Sequence, residues 1–69
     1  MKIFAQRLKA LRKEKHRTQA EIAEFLGITS RTYQYYESAA HDPDIFRLIK
    51  LADYFDVTLD YLLGRSEER

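Results

Sequence analysis

TQAEIAEFLGITSRTYQYYE, residues Thr18–Glu37, decides the fold of this 69-residue chain. Thr18 followed by Glu21 spells a capping box, in which the threonine hydroxyl accepts from the third helical N–H and the glutamate reaches back to the cap. Ile22, Ala23 and Leu26 then fall on one helical face. Gly27 follows at once, where a residue without Cβ ends a helix in the left-handed region at no steric cost. Ile28 turns back toward the core, and Thr29 caps a second helix whose inward residues are Tyr33 and Tyr36. Ala23 matters for its size, because two helices crossing steeply after a short turn need a small side chain where they touch. The stretch predicts a helix-turn-helix.

Working outward, residues 2–14 read as an amphipathic helix with Phe4, Leu8 and Leu11 inward and Arg7, Lys9 and Lys13 elsewhere on the cylinder. Lys15, His16 and Arg17 form a basic connector, with His16 read as solvated. Beyond the central unit, Ser38–Asp42 is a loop. Asp42 is expected to cap a fourth helix with Pro43 at its first position, covering 43–55 and turning Ile45, Leu48, Ala52 and Phe55 inward, Leu51 and Ile49 beside them. Asp56 stands where a glycine would close that helix, so a small strain is expected there. Thr58 caps a last helix, Leu59–Leu63, ended by Gly64. The expectation is an all-α domain of five helices over residues 1–64, followed by a flexible tail, 65–69, that has nothing apolar to dock.

Composition narrows the function. The chain is 45% hydrophobic and 33% charged, ordinary for a globular domain, and has no cysteine for a disulfide or thiolate metal site. No apolar run is long enough to span a bilayer, and MKIFAQRLKA is too interrupted by charge for a signal peptide, so a cytoplasmic location is expected. Two histidines, no Gly-rich phosphate loop, no metal spacing and no convergence of acid, base and nucleophile argue against an enzyme and against a metal or cofactor. So short a chain also leaves little volume for a small-molecule effector pocket. The net charge of +1 is unevenly spread. Residues 1–17 carry seven Lys/Arg against Glu14, whereas residues 42–69 carry four against seven Asp/Glu. A molecule with one basic end can approach a polyanion in a preferred orientation, although a merely solvated basic helix face would read the same.

The central run, the proline-bearing loop after it and VTLDYLLG near the end together resemble the Cro/C1-type, xenobiotic-response-element-like helix-turn-helix family, over about residues 4–64. The resemblance implies a five-helix, lambda-repressor-like domain that binds double-stranded DNA, at an operator, as a symmetric homodimer. By position, it implies that Gln19 bonds a phosphate and braces the second helix of the motif. Thr29, Ser30 and Arg31 match the first turn of the recognition helix, where side chains meet base edges, and Gln34 and Tyr35 match sites one turn further on. Glu37 matches an acid that pairs with a basic residue late in the first helix, here Arg12, as a structural ion pair. The sequence departs from the family pattern in three places. Ser38-Ala39-Ala40-His41-Asp42 lacks the usual glycine and cations, two tyrosines end the recognition helix, and Asp56 replaces glycine.

Groove chemistry ranks these residues. A recognition helix enters the major groove by its N-terminal end. Arg31 can pair bidentately with guanine O6 and N7, or clamp a phosphate; Gln34 can read adenine N6/N7, or lie at the groove edge. Tyr35 offers a ring to a thymine methyl, or faces solvent. Lys15 and Arg17, with Gln19, are the expected salt-sensitive phosphate contacts. For the dimer, Phe46, Ile49, Leu59 and Leu62 are the candidate interface, Phe46 being the apolar residue that a monomer explains least. The alternative is a protein-interaction module, an antitoxin or anti-repressor partner on the same fold with its DNA surface lost.

Overall fold

The computed structural model describes residues 1–69, with α1 at Lys2–Glu14, α2 at Gln19–Leu26, α3 at Ser30–Glu37, α4 at Ile45–Tyr54 and α5 at Leu59–Leu62, and no strand. Fourteen buried residues form one core drawn from every helix. Phe4, Leu8 and Leu11 enter it from α1, Ile22, Ala23 and Leu26 from α2, Tyr33 and Tyr36 from α3, Leu48, Leu51 and Ala52 from α4 and Leu62 from α5. Phe4, Leu8, Ile22, Tyr33, Leu51 and Leu62 have essentially no exposed surface. Full burial of such side chains contributes roughly 1.5–3 kcal/mol each, which is how so short a chain assembles a core without staples. α2 packs mainly on α3, and α1 lies across α3 and α5. Ala23 is buried where α2 meets its neighbours, as its size requires.

The capping box forms as read. Thr18 Oγ1 accepts from Glu21 N at 3.1 Å, and the Glu21 carboxylate accepts from Thr18 N at 2.9 Å. All five helices then end the same way, on a left-handed residue: His16 (φ 57°), Gly27 (70°), Ala39 (64°), Asp56 (55°) and Gly64 (83°). Each is followed by an N–H that bonds the carbonyl five residues back, Arg17 to Arg12, Ile28 to Ala23, Ala40 to Tyr35, Val57 to Ala52 and Arg65 to Asp60, at 2.8–3.1 Å. These bonds satisfy carbonyls that a helix end would leave bare. Only two of the five residues are glycine, so three positions hold a conformation that an L side chain resists. Asp56 was foreseen among them; His16 and Ala39 were not. Gly64 is constrained twice, since a Cβ there would lie 2.5 Å from Ile3 Cγ2.

Two expectations need correction. α4 is capped by Asp44, whose carboxylate accepts from Arg47 N at 2.9 Å, rather than by Asp42. Asp42 instead accepts from the Met1 amino group at 2.7 Å, and Pro43 is buried as packing. With α4 starting at Ile45, that residue sits at the open edge of the first turn and is half-exposed, so the inward stripe is Leu48, Leu51, Ala52 and Phe55. Ile49, placed beside the stripe, is exposed as well.

Residues 65–69, expected as a flexible tail with nothing apolar to dock, have polar partners. Arg69 clamps Glu14 with two bonds of 2.7 Å, and its carbonyl accepts from Thr58 N at 2.8 Å. Arg7 donates to the carbonyls of Tyr61 and Ser66 and to the Glu67 carboxylate. The Tyr61 ring has the Arg7 guanidinium 4.2 Å and that of Arg69 5.5 Å from its centroid, within cation–π range.

Candidate nucleic-acid interface

α3 sorts its side chains by face. Thr29 caps it, its Oγ1 accepting from Thr32 N at 3.2 Å and lying 3.0 Å from Thr32 Oγ1. Tyr33 and Tyr36 point into the core. Arg31 and Gln34 are exposed on the other side, with Ser30 and Tyr35 half-buried beside them, and Thr29 is exposed at the cap. The five residues proposed from sequence for base contact therefore run from the cap of α3 to its sixth residue, with Arg31, Gln34 and Tyr35 on the side away from the core. The local reason is the spacing: inward residues three apart leave the intervening positions outward.

The C-terminal end of α3 is organised around Glu37, whose side chain is only 5% exposed. Arg12 Nε donates to Glu37 Oε2 at 2.6 Å and Arg12 Nη2 to Oε1 at 3.1 Å, the bidentate pairing that suits guanidinium and carboxylate. Tyr33 OH donates to Oε2 at 2.6 Å, and Gln19 Nε2 to Oε1 at 3.1 Å. Arg12 also donates from Nη1 to the Arg17 carbonyl at 3.0 Å, tying down the connector. One carboxylate thus joins α1, α2 and α3. Burial pushes the Glu37 pKa up, but the bonds from Arg12, Tyr33 and Gln19 more than compensate and hold it below its ordinary value of 4.5. The same bonding raises Arg12, against some loss of solvation, and burial with the Glu37 contact drives the Tyr33 hydroxyl far above the usual tyrosine range. Sequence reasoning found Arg12 and Glu37 but not Tyr33 OH, whose spacing of four from Glu37 was the available signal.

The phosphate candidates are arranged less tightly. Gln19 is the first residue of α2, where backbone N–H groups lack helical partners, and its side chain is turned to Glu37. Lys15 is exposed at the C-cap of α1, and Arg17 makes a half-exposed 3.4 Å pair with Glu21 that binds it weakly. The loop after α3, which carries no cation, is occupied with Asp42 on the chain's amino group.

On the opposite concern, self-association, Phe46 is 75% exposed and Ile49 44%, with Ile45 beside them, whereas Leu59 is half-buried against the core. Leu62 has no exposed surface and drops out of the interface set: it is a core residue of α5. No helix is long and apolar enough to cross a membrane.

The helix-turn-helix family model matches residues 8–62. An uncharacterised HTH-type transcriptional regulator of Bacillus subtilis, YqaE, is 44% identical over 68 residues, covering 97% of this chain and 59% of that protein. The cryptic phage CTXphi transcriptional repressor RstR of Vibrio cholerae is 40% identical over 60 residues, covering 87% of this chain and 54% of the repressor. Among solved structures, a transcriptional regulator from Listeria innocua superposes with a TM-score of 0.87 at 42% identity, over 96% of this chain and 62% of that one. The chain therefore spans a little over half the length of the relatives it matches.

Proposed function

The chain belongs to the helix-turn-helix family, and from that premise we propose that it is a sequence-specific DNA-binding transcriptional regulator that acts as a repressor. α3 enters the major groove by its N-terminal end, with Arg31, Gln34, Ser30 and Thr29 meeting base edges, Tyr35 lying beside Arg31 on the same surface, and Gln19, Lys15 and Arg17 meeting the phosphates. The observation that carries this reading is the outward polar end of α3, standing over a floor of buried Tyr33 and Tyr36. Relatives named as transcriptional regulators and as a phage repressor support it and do not favour an interaction module without a DNA surface. Occlusion of a promoter needs no further surface, and the site of action is the cytoplasm.

We infer further that two copies bind a dyad-symmetric operator, their recognition helices about 34 Å apart along the duplex. Phe46, Ile49 and Leu59 are the proposed contact between copies. Selection of bound duplexes from a randomised double-stranded library tests both statements. A repeated, inverted half-site is expected, and its affinity should fall with salt with a log–log slope near −0.9 for each phosphate neutralised. Recovery of no enriched sequence would reject sequence-specific binding. Phe46→Ser, at so exposed a position, should leave the monomer's Tm unchanged while weakening self-association in sedimentation; unchanged association would remove Phe46 from the interface.

A further inference from the structure

The guanidinium of Arg31 is exposed but already held. Its Nε donates to the Tyr35 hydroxyl at 2.9 Å, and its central carbon lies 6.0 Å from the Tyr35 ring centroid. Residues four apart on a helix share a face, so this bond costs the backbone nothing. Tyr35 is itself fixed from behind. The ring of His41 meets it edge-on, centroids 5.0 Å apart and planes at 81°. The Tyr35 carbonyl accepts from Ala40 N at 3.0 Å, His41 N at 3.3 Å and Ser38 Oγ at 3.2 Å. Left-handed Ala39 sends the chain back along the helix and delivers His41 to the ring. The cation-free loop and the second tyrosine, both departures from the family pattern, thus meet in one cluster.

Building on the groove-binding reading above, we propose that Tyr35 is a positioning residue, backed by His41, that presents Arg31 to a guanine. With Nε occupied by the phenol oxygen, the guanidinium keeps its Nη1–Nη2 end for the O6/N7 edge, so recognition is end-on. Ordering a long, rotamer-rich side chain before binding removes part of the entropic cost of the contact. Tyr35 then acts through Arg31 and not by touching a base.

Two measurements test this. In the free protein, the Arg31 Nε–H resonance of 15N-labelled material should exchange slowly with water, and Tyr35→Phe should abolish that protection. A fast-exchanging Nε–H in the unaltered protein overturns the brace whether or not DNA is bound. The second measurement uses the top duplex from the randomised library and the same duplex with the half-site guanine changed. Tyr35→Phe should reduce discrimination between the two by about fivefold. His41→Ala should give a smaller loss, which His41→Phe restores by keeping an aromatic edge. In an Arg31→Lys background, which has no Nε–H, Tyr35→Phe should change nothing further. A Tyr35→Phe effect that persists with Arg31→Lys would overturn the brace in favour of direct base contact by the phenol. Full discrimination by Tyr35→Phe, with Arg31→Ala abolishing it, would overturn the brace and leave groove reading by Arg31 intact.

Discussion

The two ends of α3 treat polar side chains in opposite ways. At the C-terminal end, Glu37 is withdrawn from water and every neighbour donates to it: Arg12 from α1, Gln19 from α2 and Tyr33 from its own helix. Toward the N-terminal end, Thr29 and Arg31 remain in solvent, with Gln34 exposed a turn further on, and the bonds of Thr29 and Arg31 lie within α3 and its cap. The difference separates what sets the angle of the helix from what the helix presents. For the proposed recognition surface, which needs donors that are oriented yet unspent, the anchored opposite end supplies the fixed helix.

The sharpest way to break this comparison is to strand the anchor. Arg12→Met leaves a nearly buried carboxylate without its cation, and should destabilise the fold by about 3 kcal/mol in denaturant titration. A loss below a few tenths would mean that Glu37 needs no ionic partner. Acid is the reversible form of the same injury. Because the Glu37 pKa is held below 4.5 in the fold, its contribution is complete above that value and is lost as pH falls through the lower folded value. Glu37→Gln should flatten this part of the acid limb of the stability curve. An acid limb unchanged by that substitution would assign the sensitivity to other carboxylates.

At the other end the signature reverses. Arg31→Ala should leave Tm unmoved and cost about 1–3 kcal/mol on the preferred duplex, with selectivity relaxed at one base pair. Equal losses on preferred and random duplexes would make Arg31 a backbone contact. The smallest effect is expected just beyond α3, where Ala39 holds φ 64°. Ala39→Gly should stabilise by about 0.5–1 kcal/mol, since the native backbone there is glycine-like. A destabilised Ala39→Gly would show that the methyl group packs usefully.

Local patterns made the central unit legible. The Thr18–Glu21 box, Gly27, the Thr29 cap and the inward tyrosines each follow from residues within one turn of each other. The bounds of α1 were read on the same basis. The cap of α4 was misplaced because Asp42-Pro43-Asp44 offers two carboxylates, and what separates them is remote: the Met1 amino group takes Asp42. The polar contacts of residues 65–69 have no local signature either, since Arg7 reaches Ser66 and Glu67, and Arg69 reaches Glu14, across more than fifty residues of chain with no apolar pattern to announce it. Leu62 could be assigned to either core or interface by periodicity, and only packing puts it inside. In the site, Arg12 with Glu37 was reached through the family resemblance. The roles of Tyr33 OH and His41 depend on ring placement that spacing alone does not determine.

The most direct test of the outward end of α3 is to titrate the 15N-labelled protein with the selected duplex at low salt and follow every backbone amide. The shifts should concentrate at Gln19 and from Thr29 to Gln34, leaving α4 and α5 quiet apart from residues joining two copies. Changes confined to α4 and α5, or no change with duplex of any sequence, would contradict the assignment of that face to DNA.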